Sequence, residues 1–219
     1  MFIVVFEVHP RPEHRESYLQ VAARLKPALT ACDGFLENER FTSSDDDGKV
    51  LSVSTWRDEQ SLIRWRSHGD HRRAQEQGRA GLFENYRLRV GEILFESEGS
   101  VGASFGLGAA ESRSGSSVGV LTLTEISTDR DALNAWKERV NAANPLVVER
   151  FSSINLVGKQ LVLAAWQGID AWSPQPFPGA LMIRHRVVRI VRDYGMFDRD
   201  EAPQCFPRIQ GAAQVNKVR

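Results

Sequence analysis

The sequence predicts an α+β protein in which two β-α-β-β-α-β units follow one another and stack their antiparallel sheets into one barrel within the chain. Three observations lead there. The chain has 219 residues, room for two units of about 100 residues each. A collinear set of residues recurs at a constant offset. Each unit also alternates strand-period and helix-period segments, which covers one sheet face with helices and leaves the other to find its own cover.

The recurrence is specific. Glu39-Arg40-Phe41 returns as Glu149-Arg150-Phe151, Gly48-Lys49 as Gly158-Lys159, Leu51 as Leu161 and Trp56 as Trp166, all 110 positions on. Farther along, Tyr86-Arg-Leu-Arg-Val faces Ile183-Arg-His-Arg-Val at an offset of 97, so the second unit is shorter by 13 residues between its third and fourth strands.

In the first unit, Phe2 to Val8 alternates as a strand. Pro12 to Cys32 is a helix with Tyr18, Val21, Ala22, Leu25, Ala28 and Leu29 on one stripe, ended at Asp33-Gly34, where glycine supplies a left-handed turn. Phe35 to Ser43 and Val50 to Trp56 form a hairpin around the acidic tip 44–48. A second helical region runs from about Asp58 to about Asn85, with a break expected at Gly69 and Asp70 as the new N-cap. Tyr86 to Glu96 is the fourth strand, and its alternation slips at Gly91, the mark of a bulge. Inward positions such as Ile3, Val5, Val53 and Thr55 need a second sheet over them.

Residues 97–117, with five Gly and seven Ser, read as a linker. The second unit then repeats the pattern over 118–193: a strand at Val118–Ile126, a short helix with Leu133, Trp136 and Val140 in register, a hairpin at 146–166 and a strand at 182–193. Its second helix is expected to be missing, because Pro174, Pro176 and Pro178 forbid one there. Residues 194–219 form a tail without strong periodicity.

Composition narrows the function classes. With 28 basic and 28 acidic residues the formal charge is zero, which argues against a nucleic-acid binder. No apolar run approaches the roughly 18 residues of a membrane span, and the strand-like N-terminus does not read as a signal peptide. Cys32 and Cys205 lie far apart in no metal-type spacing, which fits a reduced, cytoplasmic protein. Gly106 and Gly108 lack the strand, helix and third glycine of a dinucleotide loop. His68 and His71 have helical i, i+3 spacing but no third metal ligand, and the tip Asp45-Asp46-Asp47 lacks the rest of a calcium loop. Arg87 and Arg89 recur as Arg184 and Arg186 and are expected to form architectural ion pairs with the recurring Glu39 and Glu149.

The first unit resembles the antibiotic biosynthesis monooxygenase family of the dimeric α/β-barrel, ferredoxin-like superfamily. The resemblance rests on the Asp33-Gly34-Phe35 turn and on the hairpin ending Leu51-Ser-Val-Ser-Thr-Trp56-Arg-Asp58. Above all it rests on the block Trp65-Arg-Ser-His68-x-x-His71-x-x-Ala74-Gln75-x-x-Gly78-Arg79-x-x-x-Phe83-x-x-Tyr86-Arg87. It covers nearly all of residues 1–96, and the second unit looks like a degenerate copy. It implies a small cavity between the sheet and the second helix and an oxygenase-like activity on an aromatic substrate, with neither metal nor organic cofactor. Haem-degrading relatives carry an iron-ligating histidine where this chain has Gln75.

Trp65, His68, Arg72, Gln75, Arg79 and Phe83 fall within about 80° on an ideal helix. That face, mixing aromatic, imidazole, amide and guanidinium groups, suits a wet pocket. The reading it supports is a cofactor-independent monooxygenase acting on a small aromatic or phenolic compound. His68 or His71 would serve as catalytic base, since an imidazole titrates near neutrality. Trp65, Phe83 and Tyr86 would form the walls, and Gln75 or Arg79 would steady a developing oxyanion. The competing reading is a non-catalytic small-molecule-binding or structural barrel. Expected partners are a small aromatic substrate and O2, with neither nucleic acid nor membrane, and a homodimer of intrachain pseudo-dimers is the candidate assembly.

Overall fold

The computed structural model describes residues 1–98, 118–127, 130–171 and 182–203. The order of elements is β1 (Phe2–Pro10), α1 (Arg15–Thr30), β2 (Phe35–Ser43), β3 (Val50–Trp56), α2 (Glu59–Ser67), α3 (Gly69–Gln77) and β4 (Phe83–Glu98). After the linker come β5 (Val120–Ser127), α4 (Arg130–Ala142), β6 (Val147–Ser153), β7 (Lys159–Trp166) and β8 (Met182–Gly195). Most of the segment read as linker and the three prolines of the second unit lie outside the described residues, as does the tail beyond Pro203.

The eight strands close into one barrel in the order β1-β3-β2-β6-β7-β5-β8-β4. Each unit contributes four consecutive strands, and two seams join them. The long seam pairs β4 with β8 from Arg87↔Gly195 to Glu98↔Arg184, and the short one pairs Phe41↔Ser153, Thr42↔Ser152 and Ser43↔Phe151. The two sheets therefore share edges as well as faces, and closure removes the unpaired edges that a lone four-stranded sheet would expose.

Alternation along each strand decides what fills the barrel. Ile3, Val5, Phe41, Leu51 and Val53 from the first unit meet Leu121, Leu123, Phe151, Leu161, Leu163, Val188 and Ile190 from the second, all essentially inaccessible to solvent. Burying each such side chain stabilises by about 1.5–3 kcal/mol. The predicted irregularity at Gly91 is present: the register jumps between Val90↔Arg192 and Gly91↔Ile190. A Cβ on Gly91 would lie 2.2 Å from the Val188 side chain, so only glycine lets β4 approach β8 there.

The recurring charges form two related clusters inside the barrel. Lys49 bridges Glu7 at 2.8 Å and Glu149 at 2.5 Å, while Lys159 bridges Glu39 and Glu125, each at 2.6 Å. Arg89 reaches Glu7 at 2.9 Å, and Arg186 pairs with Glu125. The expected partnership of the strand arginines with Glu39 and Glu149 is thus corrected. Those glutamates take the lysines of the opposite unit, because the barrel brings each Gly-Lys hairpin strand over the other unit's Glu-Arg-Phe strand. Burial pushes the Glu7 carboxyl up, but Arg89 and Lys49 outweigh it and hold the group below the usual carboxylate range.

The acidic hairpin tip also has a structural partner. Asp45 pairs with Arg150 at 2.9 Å and Lys137 at 3.1 Å, fastening the first unit's hairpin to the second unit. Burial raises the Asp45 carboxyl, and its hydrogen bonds to Arg150 and Lys137 prevail, bringing it down to about 2.

Candidate active site

The outer faces of the two half-sheets differ in what they meet. In the second unit, Leu133, Trp136 and Val140 of α4 pack onto Val162, Ala164 and Trp166. In the first unit the positions matching Val162 and Ala164 are Ser52 and Ser54, small and polar, and they lie under a cavity of about 280 Å³. Its floor is the outer face of β1, β3 and β4. Tyr18, Ala22, Leu25 and Leu29 of α1 form one wall, and α2, α3 and the turn that follows form the other.

Local chemistry fixes the second wall. Asp58 caps α2 by accepting from the Ser61 amide at 2.7 Å; the Ser61 hydroxyl and Arg57 also bond it and hold its carboxyl far below its usual range. Arg57 and Arg64 both reach Asp33 across the turn at Gly34, whose φ of +80° is the left-handed conformation the sequence predicted. The helical region then breaks at His68, which is extended (φ −60°, ψ 133°), caps α2 at its end and begins α3. The break lies one residue before the predicted position, and His68 Nδ1, rather than Asp70, accepts the capping hydrogen bond, from the Asp70 amide at 3.3 Å.

That break shifts the helical phase and separates the two histidines. His71 lines the cavity, as do Trp65, Gln75, Arg79, Phe83 and Tyr86. His68 is not among the lining residues; its half-exposed ring stacks on Trp65 at 5.5 Å. Six of the seven side chains selected from the sequence therefore converge on one space, Tyr86 from the fourth strand as expected and Phe83 also from β4 rather than from the end of the helix.

Three polar sets interrupt the apolar lining. The Tyr86 hydroxyl accepts from Arg79 Nη1 at 2.9 Å and from Arg199 Nη1 at 2.7 Å. With both lone pairs engaged, its own proton is available to donate. Asn38 donates to Ser52 at 2.9 Å, and Trp56 Nε1 donates to Ser54 at 3.0 Å. His71 Nδ1 lies 3.0 Å from the Trp65 carbonyl and 3.1 Å from the side-chain amide of Gln75. Because the carbonyl can only accept, Nδ1 carries the proton, the Gln75 amide presents its oxygen to it, and Nε2 is the basic nitrogen. Its ring stacks on Trp65 at 4.6 Å, and burial, with His68 adding to it, pulls the imidazole down to about 4 against the opposing Trp65 hydrogen bond.

Arg40, Arg66, Arg72, Arg79, Arg192 and Arg199 all border the cavity, and no Asp or Glu is found among the described lining residues. Sequence reasoning missed Tyr18 as a site residue, although it stood on the predicted helical stripe. It also missed Asn38, Arg40, Ser52 and Ser54, whose only signal was polar character on strands needing cover. Arg199 carried no signal.

A curated relative, the jasmonate monooxygenase ABM of Pyricularia oryzae, is 37% identical over 217 residues, which cover 94% of this chain and 99% of that protein. The family model for antibiotic biosynthesis monooxygenase matches residues 1–77. This chain belongs to the antibiotic biosynthesis monooxygenase family. Other proteins it is similar to are more distant. The uncharacterized protein YqjZ of Bacillus subtilis is 30% identical over 83 residues, 38% of this chain and 71% of its own length. A solved structure from Fusobacterium nucleatum covers 88% of this chain and 93% of its own at 10% identity and a TM-score of 0.41. Rv0793 of Mycobacterium tuberculosis covers 41% and 90% at 19% identity and a TM-score of 0.37. The monooxygenase family match ends at the close of α3, before Arg79, Phe83 and Tyr86 and far before Arg199. Among the described residues no helix is long and apolar enough to cross a membrane.

Proposed function

We propose that the first-unit cavity is the active site of a monooxygenase acting on a small, largely apolar compound with an ionisable oxygen, a phenolic aromatic being the reference case. The observation that carries this reading is the convergence of one desolvated neutral imidazole and the Arg79–Tyr86–Arg199 cluster on an otherwise apolar space. His71 Nε2 accepts a proton from the substrate. Burial opposes that protonation, and the substrate anion left behind offsets the penalty by its attraction to the imidazolium. The Tyr86 hydroxyl and the arginines stabilise the negative oxygen.

Electron-rich carbon then reacts with O2. In the balanced overall reaction, written for the keto tautomer of such a phenol, a ring CH2 becomes C=O, one oxygen atom enters the product, and the other leaves as water with both hydrogens. Four electrons pass from substrate to O2. His68 acts indirectly, through the α3 cap and its stack on Trp65. The jasmonate named for the fungal relative belongs in the substrate panel beside phenols, because that relative matches nearly the whole chain.

Oxygen uptake with a panel of phenols, anthrone-type compounds and jasmonate tests the proposal. One O2 per product and a loss of at least about 100-fold in His71→Ala, in protein that keeps native circular dichroism, are expected. Full turnover in that variant would remove His71 as the base, and no uptake with any compound would leave the cavity a binding site only.

A further inference from the structure

The residues after β8 belong to the tail that follows the second unit, yet they build part of the first unit's cavity. Met196 is buried against the cluster of Tyr18, Phe83 and Tyr86, and its amide donates to the Tyr86 carbonyl at 3.0 Å. The Gly195 amide donates to Asp198 O at 2.6 Å and the Ala202 amide to Arg199 O at 3.1 Å, so the segment is a folded turn. Arg199 is 8% exposed, lies over the Tyr194 ring at 5.7 Å and donates to the Tyr86 hydroxyl. Tyr194, Arg199 and Pro203 all line the cavity.

We infer that Arg199 is an anion-recognition residue, supplied by the tail after the second unit, that makes the cavity select apolar molecules carrying an anionic oxygen over neutral ones of the same shape. This deepens the monooxygenase reading and rests on the same cavity. A guanidinium bonds a carboxylate or phenolate with charge-assisted hydrogen bonds, and weakly polarisable walls concentrate its field on the cavity. The described lining holds six arginines and no carboxylate; Arg192 is compensated by Glu59 at 2.5 Å, and the remaining surplus biases the space toward negative ligands. Arg199 and Arg79 converge on one hydroxyl and mark where the negative oxygen sits. The second unit thereby completes the barrel, and the tail that follows it supplies a specificity element.

Equilibrium binding of 2-naphthoate, methyl 2-naphthoate and 2-naphthol to the full chain tests the inference without turnover. The acid is expected to bind at least about tenfold tighter than its ester, with 2-naphthol gaining affinity only as pH rises toward its ionisation. In Arg199→Gln the acid-to-ester ratio should fall below about threefold while the ester's affinity is unchanged, which also reports an intact cavity. Arg199→Lys should keep most of the preference, and Arg199→Met serves should the glutamine variant fold poorly. Equal binding of acid and ester, a ratio unmoved by loss of the guanidinium, or binding of none of the probes would overturn it. Selective acid binding without oxygen uptake on any substrate would instead defeat only the monooxygenase reading.

Discussion

His71 owes its character to its neighbours. The Trp65 carbonyl sets its tautomer, the Trp65 ring covers one face, and burial keeps it neutral. With a pKa near 4 in the folded chain against 6.5 when exposed, His71 binds fewer protons folded than unfolded between those values. Stability therefore falls as pH drops from 6.5 toward 4 and is unaffected by this group above 6.5. His185, bonded to Thr124 at 2.8 Å, is likewise drawn to about 4 by burial and by Arg186 and adds to the same trend. Thermal melts from pH 7.5 to 4 should show this decline, shallower in His71→Gln. The acid limb of kcat/KM should lie near 4 rather than 6.5. A limb at 6.5, or identical melting slopes in the two proteins, would contradict a partly buried, neutral imidazole.

At the scale of elements, the break at His68 is the feature that shapes the site. A continuous helix from 58 to 85 would have put His68 and His71 on neighbouring lines of one face. The extended residue instead commits His68 to capping and His71 to the cavity. His68→Ala should cost up to about 1 kcal/mol, read by urea denaturation, because an alanine cannot accept the Asp70 amide. It should also keep most oxygen uptake, unlike His71→Ala. The sequence showed where the helical region weakens, through Gly69, and which side chains share a face. It did not show the phase after the break, since backbone dihedrals at one residue rotate everything downstream and leave no mark in the hydrophobic period.

For the whole molecule, the barrel is the unit of stability. The inner faces of both half-sheets are apolar, and their buried charges are matched across units, Lys49 to Glu149 and Lys159 to Glu39. A fragment of residues 1–98 would leave Ile3, Val5, Leu51 and Val53 without cover and the β2 and β4 edges unpaired. We expect it to self-associate, through a copy of itself or by aggregation, in analytical ultracentrifugation. A stable monomeric fragment with native circular dichroism would show that the units do not depend on each other. The same dependence carries Arg199 to Tyr86 across 113 positions of sequence.

Periodicity, the repeated Glu-Arg-Phe, Gly-Lys and Trp positions, and the turn glycine were enough to specify two related half-sheets and the side of each that faces inward, and the block from Trp65 to Arg87 marked six of the side chains around the cavity. These are local properties: strand alternation and helical spacing are written in adjacent residues. The closing seams, the crosswise lysine–glutamate pairs, the separation of His68 from His71 and the arrival of Arg199 came only with the assembled barrel. Each depends on how distant strands register and on one backbone break, and long-range contacts of that kind leave no periodic trace in the chain.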